Sequence, residues 1–155
     1  MAWLYKRFSV FFVFCLVLLS TALVAAPVGA REMVSVDRPE INLRQGPGTN
    51  HQSDWLLSRG FPLEVIGQQG DWLHVRDFES DEGWVYRPLT GKTAYYVVKV
   101  KVANIRSGPG TGNRIVAKAA YGDVLRTLEH RGDWVQVRTA AGNTGWIAQS
   151  LLWGW

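Results

Sequence analysis

From residue 33 onward, apolar and polar positions alternate over short runs and never settle into the three-to-four spacing of an amphipathic helix. Val97-Val98-Lys99-Val100-Lys101-Val102 alternates with period two, and Leu63–Ile66, Trp72–Arg76 and Trp84–Tyr86 are further short runs bounded by Gly or Asp. This pattern predicts an all-β chain of short strands. Residues 50–59 and 112–121 show no clear period, and a short helical turn is the reading there. The first thirty residues differ in kind. Phe8–Ala26 is almost continuously apolar, follows Lys6 and Arg7, and gives way to small residues up to Ala30. A basic start, an apolar core and a small-residue exit describe a secretory signal, here with cleavage before Arg31. The alternative is an uncleaved helix anchored in the inner membrane, because 19 residues span about 28 Å as a helix. Either way the remainder is exported. Cys15 lies inside the apolar run rather than closing it, which argues against a lipid anchor.

The exported part repeats itself. Shifted by 62 positions without a gap, Asn42-Leu43-Arg44-Gln45-Gly46-Pro47-Gly48-Thr49 falls on Asn104-Ile105-Arg106-Ser107-Gly108-Pro109-Gly110-Thr111. At the same shift Gly60 falls on Gly122, Gly70–Arg76 on Gly132–Arg138, and Gly83-Trp84-Val85 on Gly145-Trp146-Ile147. Four ordered blocks sharing one offset mark a tandem duplication. About five short strands in each unit predict a small barrel, since closing the sheet hides edges that a flat sheet would expose. A unit of this size is marginal alone, so the short junction Thr90–Thr93 predicts two units packed together.

These blocks resemble the bacterial SH3-like (SH3b) family: an apolar-Asn-apolar-Arg strand, a Gly-Pro-Gly-Thr turn, then Gly-Asp-Trp-x-x-Val and Gly-Trp-aliphatic, present in full twice. The resemblance covers residues 33–90 and 95–152, with residues 1–30 as the leader. It implies two tandem half-open β-barrels of five to seven strands. It also implies an exported module, periplasmic or otherwise envelope-associated, that binds peptidoglycan, its peptides or an envelope protein.

Each motif has a physical reading. In the turn, Pro47 and Pro109 fix φ, while Gly46, Gly48, Gly108 and Gly110 are expected to take positive φ and reverse the strand. Asn42 and Asn104 sit between strand residues, where asparagine is disfavoured, and an amide facing inward there would need partners such as the adjacent loop's backbone. Arg44 and Arg106 either pair with Asp71 and Asp133 as a clamp or meet a ligand carboxylate. Burying one Trp removes 150–250 Å² from water, about 4–6 kcal/mol at most. Yet Leu73 and Val75 share one face of their run, which turns Trp72, His74 and Arg76 to the other. The same alternation sets Trp134, Gln136 and Arg138 opposite Val135 and Val137, and Trp84 opposite Val85. Trp72, Arg76, Trp84, Trp134, Arg138 and Trp146 are therefore the candidate ligand residues.

Charge adds an asymmetry. Residues 37–92 hold 6 basic and 9 acidic side chains, and residues 93–155 hold 8 and 3. The halves are thus −3 and +5, which docks them together, gives them different ligands, or reflects solvated surface. Much of the excess sits in the acidic loop Asp77–Glu82, whose counterpart Thr139–Thr144 is uncharged. Leu152-Trp153-Gly154-Trp155 has no evident counterpart and is expected to fold back onto the barrel or the seam. The exported part is close to neutral overall, with 15 basic and 13 acidic residues, which excludes a strongly cationic nucleic-acid binder. It contains no cysteine, no histidine that recurs between units, no His-Glu-x-x-His and no Gly-x-Ser-x-Gly. The reading is a non-enzyme with no metal and no cofactor, binding a peptide-like envelope ligand. An adaptor for another envelope protein is the alternative.

Overall fold

The computed structural model of the protein describes residues 31–155; the proposed signal or anchor, with Cys15, lies outside the described residues. Fourteen short strands form two separate sheets of seven. The first contains β1 (Met33–Val36), β2 (Glu40–Arg44), β3 (Ser53–Ser58), β4 (Pro62–Gln69), β5 (Trp72–Arg76), β6 (Glu82–Tyr86) and β7 (Thr90–Gly91). The second contains β8 (Tyr95–Val98), β9 (Val102–Arg106), β10 (Ile115–Ala120), β11 (Val124–Arg131), β12 (Trp134–Arg138), β13 (Thr144–Ala148) and β14 (Leu152–Gly154). Both run in one order, β3-β2-β6-β5-β4-β1-β7 and β10-β9-β13-β12-β11-β8-β14, so the duplication is one of topology as well as sequence. A single 3-10 turn follows β6 and β13, at Arg87–Leu89 and Gln149–Leu151. Among the described residues no helix is long and apolar enough to cross a membrane.

Alternation builds each core. Leu73, Val75 and Val85 point inward and meet Val36, Ile41, Leu43 and Leu63 from the same sheet. Val135, Val137 and Ile147 do the same with Val98, Ile105 and Leu125. One curled sheet therefore supplies its own interior. The Gly-Trp-aliphatic motif makes that curl sterically feasible. A Cβ on Gly145 would lie 2.6 Å from Ile105 and 2.7 Å from the Arg106 carbonyl, and one on Gly83 would lie 2.6 Å from Leu43. The glycine lets β13 close onto β9, and β6 onto β2, at the paired positions Trp146–Arg106 and Trp84–Arg44.

Several expectations need correction. Residues 50–59 and 112–121 hold the edge strands β3 and β10 rather than a helical turn, because pairing with β2 and β9 overrides their weak local signal. The alternating run 97–102 is two strands, β8 and β9, broken at Lys99–Lys101 so that the chain turns a corner. In the Gly-Pro-Gly turns only Gly110 has positive φ, at 142°. Gly46 and Gly108 are required instead for close approach, since a Cβ would lie 2.5 Å from His51 and 2.8 Å from Asn113. Finally, residues 152–154 do have a counterpart. They form β14, which pairs with β8 as β7 pairs with β1, and Trp155 packs against the second core.

An aromatic seam joins the halves. Phe78 of the acidic loop lies 6.1 Å from Phe61 and 5.3 Å from Tyr121, and the Tyr121 hydroxyl donates to Glu79 Oε1 at 2.6 Å. Ser35 Oγ donates to the Thr93 carbonyl at 2.8 Å. The ion pairs among the described residues all lie within one half, so the seam is not closed by salt bridges. Asp77 organises its loop by accepting the N–H groups of Glu79 and Asp81, each at 2.9 Å. Burial nevertheless raises its pKa above the usual 3.8, against the pull of those hydrogen bonds.

Gly145→Ala should cost about 1–3 kcal/mol as an overpacking change, and Leu63→Ala about 2–5 kcal/mol as a cavity, both read from urea unfolding midpoints. Because the folded-state pKa of Asp77 is raised, the folded chain binds more protons than the unfolded one between 3.8 and that higher value. Stability therefore falls as pH rises through this window. The wild type should gain on Asp77→Asn as pH drops from neutral toward 3.8, measured as the difference in unfolding free energy, and a constant difference would contradict the assignment.

Candidate functional site

The outward faces of β5 and β6 carry a ladder of cross-strand pairs. Trp72 faces Tyr86, His74 faces Trp84, and Arg76 faces Glu82. The first two rungs are aromatic contacts, Trp72–Tyr86 at 5.4 Å and the stacked His74–Trp84 at 4.8 Å. The third is a salt bridge at 2.9 Å. Such pairs are the unit of sheet stabilisation, yet the Trp72 rung does more than stabilise. It forms one wall of an open cleft of about 170 Å³ lined by Asn42, Arg44, Thr49, Trp72, Tyr86 and Leu89.

Local structure puts each group in place. Arg44 ends β2, and its Nη1 donates to the carbonyls of His51 at 2.8 Å and Thr49 at 3.3 Å. The arginine clamps the Gly-Pro-Gly-Thr loop by its backbone rather than pairing with Asp71, which lies 3.7 Å from Arg87 instead. Arg106 repeats the clamp, donating to the Asn113 carbonyl at 2.8 Å. Among the described residues, Nε and Nη2 of Arg44 have no hydrogen-bond partner, so donors remain at the rim of the cleft. Asn42 is exposed rather than inward, because Ile41 and Leu43 take the core face of β2, and its Oδ1 accepts from Ser53 Oγ at 2.9 Å. Asn104 is half-buried between Ala103 and Ile105. Leu89, on the 3-10 turn, closes the floor.

The sequence-derived candidates separate in three dimensions. Trp72 lines the cleft, beside the loop that Gly46, Pro47 and Gly48 shape. Trp84 sits one rung along, half-buried and covered by His74. Arg76 is a rung further and held by Glu82, outside the cleft lining. In the second half Trp134 is half-buried but faces Ala148, so the opposing ring is missing. Trp146 faces Gln136 and is only 5% exposed, with the Arg131 guanidinium 4.9 Å above its ring. Arg138 faces Thr144 and is exposed. The loop Gly108-Pro109-Gly110 is matched to the first, with Asn113 under it. Tyr86, Asn42, Thr49 and Leu89 were outside the sequence-derived set. Tyr86 had a signal: it occupies the same face as Trp84, and its counterpart Ala148 breaks the repeat.

The cleft offers two aromatic faces, an aliphatic floor and guanidinium and amide groups at one edge. Its volume falls below the roughly 300–1,000 Å³ of drug-sized sites, so it suits one side chain or one end of an extended ligand.

Comparison with a family model agrees with this architecture. The family model described as "Bacterial SH3 domain" matches residues 37–91 and again 99–154. A putative N-acetylmuramoyl-L-alanine amidase, YrvJ of Bacillus subtilis (strain 168), is 22% identical, over 73% of this chain and 24% of its own. Among solved structures, NlpC1 from Trichomonas vaginalis is 16% identical with a TM-score of 0.34, covering 83% of this chain and 47% of that one. NlpC2 from the same organism is 17% identical with a TM-score of 0.35, covering 80% and 48%. The chain thus spans about a quarter of the curated relative and about half of each solved one. Two matched segments, two sheets of one topology and one motif set met twice lead to a single assignment: the chain belongs to the bacterial SH3 domain family and carries the domain in tandem.

Proposed function

We propose that this chain is a non-catalytic, exported binding module of the cell envelope, and that its first domain holds a peptide-like part of peptidoglycan in the Trp72–Tyr86 cleft. The observation that carries this reading is the cleft itself: an aromatic wall built by the contacting Trp72–Tyr86 pair, with Asn42, Arg44 and Thr49 also in the lining. Aromatic faces take up the aliphatic stem of a side chain or the face of a sugar, and the free guanidinium donors suit a terminal carboxylate. The amidase relative is named for N-acetylmuramoyl-L-alanine, an amino sugar joined to an amino acid. Sharing recognition of that ligand class fits a chain that covers a quarter of the relative. The domain organisation is the one read from the repeat, with a leader over 1–30 and modules at 33–90 and 95–152, placing the modules outside the cytoplasm.

A second reading, an adaptor for another envelope protein, is supported by β3. This edge strand leaves Trp55 and Leu56 59% and 60% exposed, and edge strands invite pairing with another chain.

Retention of the full-length protein on purified sacculi tests the first reading. Trp72→Ala should lower retention about tenfold, the loss of roughly 1.4 kcal/mol. Trp134→Ala should lower it less, since Ala148 gives that ring no facing partner. Equal retention by wild type and Trp72→Ala would remove the cleft from the mechanism. Release of soluble wall fragments would overturn the non-catalytic reading, and a stoichiometric protein partner without sacculus binding would decide for the adaptor.

A further inference from the structure

Strands β11 and β12 set Arg126 directly opposite Arg138. Like charges at opposed positions destabilise a sheet rather than support it. The first half shows what the same scaffold does otherwise. There the corresponding residues are Glu64 and Arg76, an opposite-charge pair, and Arg76 is held on its other side by Glu82 at 2.9 Å. In the second half the position of Glu82 is Thr144. The arginine is thus present in both copies, while both of its neighbouring carboxylates are absent from one.

A third arginine joins them from across the seam. Arg59, which follows β3, lines the same cleft of about 330 Å³ as Arg126 and Arg138, with Tyr95 and Val124 as its apolar walls. All three arginines are exposed, and among the described residues none forms a salt bridge. Guanidinium groups stay charged at any working pH, so the repulsion persists unless an anion offsets it. A carboxylate fills one guanidinium fork with its two oxygens. A phosphate presents more oxygens in a tetrahedral array and can accept from several forks at once.

We propose that this seam cleft is a binding site for an organic phosphate ester, its phosphate held by Arg59, Arg126 and Arg138 and its carbon skeleton laid against Tyr95 and Val124. The site is separate from the Trp72 cleft and does not depend on the function assigned to it. Charge-assisted contacts at an exposed site weaken as salt screens them.

Calorimetric titration of the full-length protein with glycerol 3-phosphate, with acetate as the carboxylate control, tests the proposal. The expected result is saturable phosphate-ester binding that weakens as salt rises, with acetate at least tenfold weaker. Arg126→Glu recreates the Glu64–Arg76 arrangement, so it should raise the unfolding midpoint while cutting phosphate affinity at least tenfold. Arg126→Gln, which removes the charge without adding one, should cut affinity with a smaller gain in midpoint, and Arg59→Gln should cut affinity with the midpoint nearly unchanged. No saturable binding to the wild type, acetate binding as tightly as the ester, or undiminished affinity in the folded Arg126 variants would each overturn it.

Discussion

A sheet of seven short strands that must bury its own inner face has to curl, and the curl is limited by how closely its strands can approach where they cross. That approach is set at Gly83 and Gly145, where a single added carbon would meet Leu43 or the Arg106 carbonyl. With the crossing closed, Leu73, Val75 and Val85 reach the same interior as Val36 and Leu43, and their counterparts do so in the second half. Everything on the outer face follows from that closure. The side chains not needed inside are ranked along β5 and β6 as opposed pairs, and the arginine that ends β2 is brought to the loop it clamps.

The duplication makes the molecule its own comparison. The scaffold is held constant: topology, the glycine crossings, the arginine clamp and the Gly-Pro-Gly loop occur in both halves. The outer faces diverge. The first half has Tyr86 opposite Trp72 and carboxylates beside Arg76; the second has Ala148 opposite Trp134 and no carboxylate beside Arg138. Positions that fold the domain are thus the same in both copies, and positions that meet solvent carry the differences, which is where two recognition chemistries can coexist on one fold.

The halves meet through aromatic packing rather than through their opposite net charges. Phe78 bridges Phe61 and Tyr121, and the acidic loop offers the second half a carboxylate as acceptor for a phenol rather than as partner for a lysine. The hydrogen bond to Glu79 favours the protonated phenol and raises the pKa of Tyr121 above 10.0, so the hydroxyl remains a donor at neutral pH. The surplus positive charge of the second half is left on its surface, part of it concentrated where Arg126 and Arg138 oppose each other.

Period-two alternation and a gapless repeat determined the fold from sequence, because both are properties of which residue sits where along the chain: Leu73 and Val75 had to share a face whatever their partners. The same reasoning put Trp72 on the outer face. What it could not supply was register. Whether Trp72 meets Tyr86, whether Arg44 meets Asp71 or the His51 carbonyl, and whether two arginines confront one another depend on which residue of one strand lies opposite which residue of the next. For the same reason Trp146, alike in sequence to Trp84, proved buried under Arg131. Pairing between strands far apart in the chain is fixed only when the whole sheet closes, so the tertiary structure alone decided the walls of the cleft and the company each arginine keeps.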